Sequence, residues 1–595
     1  RAGGVRGGAA DRERAARAAG AGLAVLGTAV AAATWMRGIG GLATVPQEHD
    51  TVVHTLLTGY VGRTGEGAPW QLLPIDVITG EPVYFYPSGM HLSAAVTADL
   101  AGGTVPGFNA VTVVLLAVAL SASAAALTFV AARRLRLGQG PAALAAGAAT
   151  VVAAGLYRPA YQLAHDGGAL PNAAALALAP GVVAGLLLLP REPRRTAVAV
   201  ALACAGAVWV HPSAAVTIGV TAVAWWCGDA FAPALRRELR RLPGPLLVTG
   251  GLAAVLLVPL VASSATAAAR TSGFPADTAP VGYGDAVGST LGLAYGGYLD
   301  PPRATGQLWA AVLVAVGIAA VVALRRGYGP VAAWAAWVAV TIAYFLSPST
   351  GPETVVTSFF YKGLVRVWSH VSLLAPVLAA LGVVICAARV VVLVRRRARR
   401  LPVCATTAVA VVVAAVLAAY AAGPGRVYAV RAGDALATRY SEPAFVRVDA
   451  DDERAGEWLA ARVRPGERVM NSANDGSTFL YVEHGVPVVN VYPLGLPQAP
   501  YTYELLQRFD RYPTDPAVRE LLVELDVAWV YVDERAPRIG AAGSPEDWAG
   551  DGPFDLAPGL QRLDGLPGLR EEFRSGTVRV YSLDLDLLAA WPSGA

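Results

Sequence analysis

The chain has little charge and few of the features that mark soluble proteins. Only 15% of its 595 residues are charged, whereas about 25% is usual in soluble domains. Hydrophobic residues make up 55%, in repeated apolar blocks long enough to cross the roughly 30 Å core of a bilayer as helices. The sequence therefore predicts a polytopic α-helical membrane protein and excludes an ordinary soluble enzyme.

Cysteine, lysine and nucleotide motifs are also scarce. The four cysteines lie in or beside apolar segments and show no disulfide or metal spacing. Lys362 is the only lysine, so arginine supplies nearly all of the positive charge. No Walker or Rossmann glycine motif and no serine nucleophile elbow is present. Nothing in the sequence therefore supports bound nucleotide, and no nucleic-acid partner is predicted.

Eleven apolar spans are predicted, and the charge of the segments between them alternates. Segments after even-numbered spans are rich in arginine, and those after odd-numbered spans carry few cations. Because cytoplasmic loops carry the excess of arginine, this pattern places the N-terminus inside and the tail outside. The predicted spans are 19–36, 107–132, 141–157, 169–190, 196–210, 213–228, 246–264, 305–324, 330–346, 369–394 and 402–422.

The composition divides the chain into two predicted domains. Residues 1–430 are predicted to form the transmembrane domain, with a first outer loop at 37–106. Part of that loop, 88–103, is too short to span and predicts an interfacial or re-entrant helix. Residues 431–595 are predicted to form an extracytoplasmic α/β domain.

Within the tail, the local pattern predicts one helix and three buried strands. The pattern at residues 451–463 predicts a helix that is capped by Asp451 or Asp452. Strands are predicted at ERVMNS, VPVVNVY and VAWVYVDE, which are separated by glycine, proline and aspartate turns.

The stretch PQEHDTVVH after the first span concentrates the residues suited to acid–base chemistry. In a short helix Asp50 and His54 are one turn apart and share a face. A carboxylate beside an imidazole can orient it, or can itself accept a proton from an incoming hydroxyl. Asp50 is therefore the candidate general base, with His54, Glu48 and His49 as catalytic partners. Two alternatives stay open: Asp50 as a helix N-cap, and the four residues together as ligands of a divalent metal, although their spacing matches no known motif.

A second candidate is the segment FFYKGLVRVWSH, just before span ten. Lys362 and Arg366 are four residues apart and are predicted to share one helix face. They are cations on the outer side, against the general trend, which favours binding of an anionic lipid phosphate. The alternative is that both side chains extend to lipid headgroups without a specific ligand.

Histidine is rare in this chain, and its placement is one-sided. Six of the seven histidines fall at predicted outer ends of spans or in outer loops. Polar residues at membrane depth usually serve a function, so the set predicts a shared polar cavity; the alternative is that histidine is merely tolerated at an interface. His211-Pro212 also predicts a helix break. Beside His49 and His54, the predicted cavity residues are His91, His165, His211 and His370.

These features together resemble the GT-C glycosyltransferases. The resemblance lies in the cytoplasmic N-terminus, the large first outer loop with an early acidic residue, about eleven spans and the extracytoplasmic α/β tail. More narrowly, PQEHDTVVH, FYPSGMH, FYKGLVR and NDGSTFLY resemble a little-characterised group of GT-C-like proteins from actinobacterial envelopes. The resemblance implies a polyprenyl-phosphate-sugar donor, and an envelope glycan or lipid as acceptor on the outer face.

By this resemblance Asp50 takes the place of the catalytic acid of the first loop, and Arg366 that of a ligand to the donor phosphate. The paired acid of many GT-C proteins is replaced here by Glu48-His49-Asp50, which leaves metal dependence open. The prediction is an inverting hexosyl- or pentosyltransferase of the plasma membrane, with Asp50 and Arg366 facing each other across an outer cavity.

Two other classes of function stay open from the sequence. One is a transporter or flippase of lipid-linked sugars, although the spans are nearly free of the charge that a path through the membrane needs. The other is a non-catalytic partner in envelope assembly, with the tail as its binding module.

Overall fold

The chain forms two compact units, and it crosses between them three times. A computed structural model describes residues 2–82, 85–297, 306–397, 405–443, 445–493, 498–535 and 556–591. The first unit consists of Arg1–Gly38 and Thr112–Leu436, and the second of Ile39–Val111 and Ala437–Ala595. The sequence-based boundary at residue 430 grouped the first outer loop with the membrane part, whereas in the structure this loop packs with the tail.

Helices dominate both units. The described helices are α1 (Ala2–Ile39), α2 (His49–Thr64), α3 (Gly89–Ala101), α4 (Thr104–Val113), α5 (Leu120–Arg134), α6 (Gln139–Ala153), α7 (Ala160–His165), α8 (Leu170–Leu188), α9 (Pro193–Val210), α10 (Ser213–Ala230), α11 (Pro233–Leu239), α12 (Pro243–Gly273), α13 (Tyr283–Leu291), α14 (Leu308–Leu324), α15 (Gly329–Leu346), α16 (Thr354–Thr357), α17 (Leu364–Arg397), α18 (Ala405–Tyr420), α19 (Arg426–Thr438), α20 (Ala450–Ala460), α21 (Thr478–His484), α22 (Pro500–Arg508), α23 (Pro516–Glu524) and α24 (Leu585–Ala589). The strands are β1 (Arg468–Met470), β2 (Val527–Asp533), β3 (Leu569–Ser575) and β4 (Val578–Leu583).

A helix occurs at each of the eleven predicted spans. Within the described residues, seven helical segments are long and apolar enough to cross a membrane. The break at His211-Pro212 is confirmed, since α9 ends at Val210 and α10 begins at Ser213. The N-terminal ends of the predicted spans 305–324 and 402–422 lie outside the described residues. The orientation of the spans stays a prediction.

Helix α17 lies at the centre of the first unit. It packs against α5, α6, α14 and α15, and most of its residues up to Ile385 are buried. Its contact with α14 is close because glycines meet there: a Cβ on Gly382 would lie 2.7 Å from the Cα of Gly317. Small residues at a crossing let two helices in a membrane approach within van der Waals contact of their backbones.

The second unit contains a four-stranded sheet in the order β1-β2-β4-β3. Strand β2 pairs in parallel with β1 and antiparallel with β4, and six of its seven residues are buried. A nearly continuous apolar strand is typical of such a central position. Strand β3 is an edge strand and carries four charged residues, which hinder pairing with another chain.

The tail confirms the predicted α/β class and corrects two of its details. Of the predicted strands, VPVVNVY forms only one isolated bridge, from Val488 to Val469. The predicted cap of α20 is wrong: Asp449 is the N-cap, and its carboxylate accepts the Asp451 N–H at 2.7 Å. Asp452 instead accepts the Asp449 N–H at 2.6 Å, which completes a capping box.

The first loop and the tail share one hydrophobic core. Leu56 and Tyr60 of α2 pack with Phe479, Val482 and Val491 of the tail, all at most 4% exposed. A buried ion pair supports this packing, with the Arg468 guanidinium 2.8 Å from a carboxylate oxygen of Asp76. The loop is therefore an integral part of the second unit.

Candidate functional site

The tail holds the chain just before α2 in place. The Oε1 atom of Gln47 accepts the backbone N–H groups of Arg447, at 2.7 Å, and of Val448, at 3.1 Å. The Arg447 guanidinium donates back to the Gln47 carbonyl at 2.7 Å. All three residues are buried. The position of Glu48, the next residue, is thus determined by a segment that lies 400 residues later in the chain.

The NDGS motif of the tail, residues 474–477, supports these contacts between Gln47 and Arg447. The Arg447 guanidinium donates to the Asn474 carbonyl at 3.1 Å. Gly476 has a φ of +83°, and a Cβ there would lie 2.7 Å from the Arg447 carbonyl oxygen. The Asp475 carboxylate accepts the Ser477 hydroxyl at 2.5 Å, and its burial raises its pKa to about 6. The motif is therefore a closed turn.

Glu48, His49 and Asp50 form a row of alternating charges with Arg439. The Arg439 guanidinium lies 2.9 Å from Glu48 Oε2, and Glu48 Oε1 lies 2.5 Å from His49 Nδ1. On the other side of the ring, His49 Nε2 lies 3.3 Å from Asp50 Oδ1. We call these four residues the acid–histidine row.

Exposure rises along the acid–histidine row. The Glu48 side chain is 4% exposed, that of His49 27% and that of Asp50 39%. The Arg439 side chain, at 10%, closes the buried end. Asp50 is therefore the end of the row that a dissolved molecule can reach.

The charges of the row reinforce one another. Burial alone would raise the pKa of Glu48, but His49, Arg439 and Arg447 outweigh it and lower the pKa below its ordinary 4.5. Burial alone would lower the pKa of His49, but Asp50 and Glu48 raise it above 6.5. The row therefore holds an imidazolium between two carboxylates at mildly acid pH.

Two further candidate histidines of the second unit contact each other. His54 Nδ1 lies 3.2 Å from His91 Nε2, and the Tyr86 ring packs beside both rings. His54 is 4% exposed and His91 is fully buried. This pair connects α2 to the start of α3. It also joins two of the sequence motifs, PQEHDTVVH and FYPSGMH.

The alternative that Asp50 is the N-cap of α2 is wrong. The N-cap residue is Glu48, and Asp50 is the second residue of the helix. Within the described residues, no group of three or more histidine, cysteine, aspartate or glutamate side chains is placed to hold a metal ion.

In the first unit, the prediction that Lys362 and Arg366 share a helix face is wrong. Helix α17 begins at Leu364, so Lys362 lies in the turn before it, where Tyr361 and Lys362 have φ values of +57° and +48°. The Asp277 carboxylate ends this turn by accepting the Leu364 N–H at 2.9 Å. A tertiary contact with Asp277 thus sets the helix start.

Arg366 belongs to a small aromatic cluster in this unit. Its guanidinium lies 4.5 Å from the centre of the Tyr361 ring, whose other neighbours include the His211 ring at 6.3 Å. His211 Nδ1 lies 2.7 Å from the Ser213 hydroxyl. This places a guanidinium, an imidazole and a phenol together in the first unit.

The other two candidate histidines of this unit have packing contacts. His370 is fully buried, stacks on Trp337 at 3.8 Å and bonds to the Thr217 hydroxyl at 2.9 Å. His165 Nδ1 lies 2.8 Å from the Ala435 carbonyl. The structure thus divides the six histidines between the two units, and a single cavity shared by all of them stays a prediction.

Sequence reasoning missed Gln47, Arg439, Arg447 and Asp277. One signal was present for the two arginines. They follow the last predicted span, on the side that is predicted to be outer, where cations are unexpected. The same argument singles out Arg366. No local pattern pairs Asp277 with a helix that begins 87 residues later.

The fold is that of a polytopic helical membrane protein of the GT-C type with a small α/β tail. The chain is similar to ArnT from Cupriavidus metallidurans bound to undecaprenyl phosphate, with a TM-score of 0.51 and 14% identity over 94% of this chain and 98% of that one. At this identity the likeness shows the fold alone.

Two further solved structures are similar to the chain, with lower TM-scores. The Archaeoglobus fulgidus oligosaccharyltransferase has a TM-score of 0.47 and 13% identity over 86% of this chain and 69% of that one. The arabinofuranosyltransferase AftD from Mycobacteria has a TM-score of 0.43 and 17% identity over 93% and 41%. No curated protein matches the chain in sequence. The chain belongs to DUF6541, a family of unknown function, whose model matches residues 2–585.

Proposed function

We propose that this protein is a membrane glycosyltransferase that moves a sugar from a polyprenyl-phosphate donor to an envelope glycan or lipid. Transfer takes place on the outer face of the plasma membrane. The observation that carries the proposal is the acid–histidine row, in which buried partners hold a half-exposed carboxylate at the start of α2. The GT-C fold supports the proposal, since a similar structure holds undecaprenyl phosphate.

In the proposed reaction Asp50 is the general base. Its carboxylate takes the proton of the acceptor hydroxyl as that oxygen forms a bond to the anomeric carbon of the sugar. The bond from this carbon to the phosphate oxygen breaks, and its electron pair leaves with the polyprenyl phosphate. One displacement inverts the anomeric centre, and no step needs a nucleotide.

The other residues of the row act as positioning residues. Arg439 binds Glu48, and Glu48 binds one side of the His49 ring. The other side of that ring contacts Asp50 Oδ1 and positions it. His54 acts from further away, because its contact with His91 fixes the first turns of α2. Removing any of them is expected to weaken transfer less than removing Asp50.

Arg366 and Lys362 are proposed to stabilise the departing phosphate, whose negative charge grows in the transition state. The Tyr361 ring holds the Arg366 guanidinium, which reduces the cost of ordering it on the donor. The narrower likeness to actinobacterial envelope proteins adds an expected setting, the assembly of an envelope glycan.

The variant Asp50→Asn tests the general base. It is expected to lower transfer about 100- to 10,000-fold, in the range measured for acid–base groups. Purified protein would be assayed with polyprenyl-phosphate hexoses and pentoses and an envelope extract as acceptor. The control is Asp99→Asn, which changes an exposed carboxylate of the same loop. Near-normal transfer by Asp50→Asn, with intact folding, would reject the assignment.

The variant Arg366→Gln tests the donor site, with Arg389→Gln on the same helix as control. We expect Arg366→Gln to raise the KM for the donor, with the acceptor KM unchanged. An unchanged donor response would reject this role.

If wild-type protein moves lipid-linked sugar across vesicles and forms no product, the transporter alternative replaces the enzyme. If it does neither, the non-catalytic partner in envelope assembly replaces the enzyme as the explanation.

A further inference from the structure

The first unit contains a groove that the proposed reaction does not use. Helix α1, the end of α6 and the segment 421–430 line a cavity of about 380 Å³. Its walls are mainly apolar and include Leu26, Val30, Ala33 and Ala429. Arg37 and Arg426 also line it.

Glycine and alanine shape the walls. A Cβ on Gly27 would lie 2.5 Å from the Thr150 backbone, and one on Gly155 would lie 3.3 Å from the Gly425 carbonyl oxygen. The helical run is also interrupted here by the π-helical turn Ala421–Gly425, which contains a proline. The close backbones and short side chains leave a narrow channel of a kind that an extended hydrocarbon chain can fill.

The length of the groove matches one leaflet of a membrane. From Leu26 to Arg37 helix α1 rises about 17 Å at roughly 1.5 Å per residue. The hydrocarbon core of a bilayer is about 30 Å thick, so one leaflet supplies about 15 Å. Helix α1 includes the candidate membrane span Glu13–Ile39, and Arg37 lies in its last turn. The arginine end of the groove therefore lies at the depth of the lipid headgroups.

The positive charge at the arginine end of the groove favours an anionic lipid headgroup. Arg37 pairs with Asp434, and Arg426 adds a second guanidinium, so the three groups carry a net charge of +1. Both arginine side chains are exposed. We propose that the groove binds one anionic membrane lipid, with a hydrocarbon chain along α1 and its phosphate at Arg37 and Arg426. This site is independent of the proposed transfer reaction.

The proposal is tested by counting lipids on the full-length protein in detergent with native mass spectrometry. Phosphatidylglycerol and phosphatidylcholine with the same acyl chains would be titrated in separate samples. We expect one phosphatidylglycerol to bind well before any others, and phosphatidylcholine to bind more weakly and without a first tight step. Equal, gradual uptake of both lipids would overturn the proposal, because that is the behaviour of non-specific annular lipid.

Two variants locate the site. Filling the groove with the double change Ala33→Leu and Ala429→Leu is expected to abolish the tight step, whereas Ala29→Leu, at an exposed position of α1 outside the groove, retains it. Arg426→Gln is expected to weaken phosphatidylglycerol binding about fivefold, the effect of one basic residue near a membrane surface. Arg511→Gln in the tail is its control.

The arginine variant keeps the test decisive if the filled groove prevents folding. Unchanged binding by Arg426→Gln, or equal binding by the filled-groove protein and Ala29→Leu, would overturn the site. Glycosyl transfer is not measured in any arm, so failure here leaves the proposed function untouched.

Discussion

Each unit contains a buried arginine paired with carboxylates, and the two groups end differently. In the first unit the Arg134 guanidinium lies 2.8 Å from Asp229 and 2.6 Å from Glu238, with side chains 2%, 2% and 15% exposed. In the second unit Arg439 binds Glu48, and the row continues through His49 to a carboxylate that is 39% exposed. Glu238 also binds Arg191 at 2.8 Å, and the Arg191 side chain is 38% exposed. We call this first group the Arg134 group. It reaches the solution as a guanidinium, which cannot accept a proton, whereas the acid–histidine row reaches it as a carboxylate, which can.

The comparison shows that a buried ion pair is by itself poor evidence of function. Removing charges from water is costly, and pairing at best repays that cost. What distinguishes the acid–histidine row is that its exposed end is a carboxylate, which can accept a proton. The predictions below change one group or the other, from the largest expected effect to the smallest.

Breaking the Arg134 group should cost the most stability. Arg134→Met leaves the carboxylates of Asp229 and Glu238 without their shared guanidinium. We expect the free energy of unfolding to fall by about 3–5 kcal/mol, the usual cost of removing one partner from a buried pair. Denaturant unfolding in mixed micelles measures it, with the exposed neighbour Arg133→Met as control. A loss equal to that of the control would contradict the buried pairing of Arg134 with these carboxylates.

Breaking the acid–histidine row should affect activity and its pH dependence. Glu48→Gln removes the negative charge between Arg439 and His49, so the pKa of His49 should fall towards 6.5. We expect transfer to drop, but by less than the roughly 100-fold lower bound expected for Asp50→Asn. The pH profile should shift to lower pH. A uniform drop with an unchanged profile would indicate a structural role only.

The charges of Glu48 and His49 also predict a pH window of stability. The folded-state pKa of His49 is raised, so its contribution is present below 6.5 and is lost as the pH rises through the folded value. The folded-state pKa of Glu48 is lowered, so its contribution is present above 4.5 and is lost as the pH falls through the folded value. The stability difference between wild type and His49→Gln should therefore be largest from pH 4.5 to 6.5. A flat difference across pH 4–9 in thermal unfolding would argue against the pairing.

The smallest effect is expected at an exposed pair. Arg508 and Glu504 lie 2.9 Å apart on α22, with side chains 48% and 38% exposed. Arg508→Ala should lower the free energy of unfolding by only about 0.3–0.5 kcal/mol. A loss comparable to that of Arg134→Met would show that exposure does not separate the two kinds of pair.

The helices were predictable because their signal is local. An apolar block of sufficient length forms a helix in a membrane whatever its neighbours are, since only that structure pairs its backbone groups internally. Strand β2 was found for a similar reason, as a continuous run of β-branched and aromatic residues. The β3–β4 hairpin was missed, although Gly576, with a φ of +54°, marks its turn.

The site was only partly predictable. Glu48, His49 and Asp50 are adjacent in sequence, and their residue types alone indicated acid–base chemistry. Which of them is buried depends on Arg439 and Arg447, which no nearby pattern connects to them. The turn at Lys362 was missed because Asp277, far along the chain, sets the start of α17.

By itself the sequence determined that this chain is a membrane protein of many helices with an α/β tail, because hydrophobicity and helix formation act over neighbouring residues. The tertiary structure decided that the first loop folds with that tail and that Asp50 is the exposed end of its row. Ion pairs, hydrogen bonds and burial depend on residues that meet only after folding, such as Gln47 and Arg447, which are 400 positions apart.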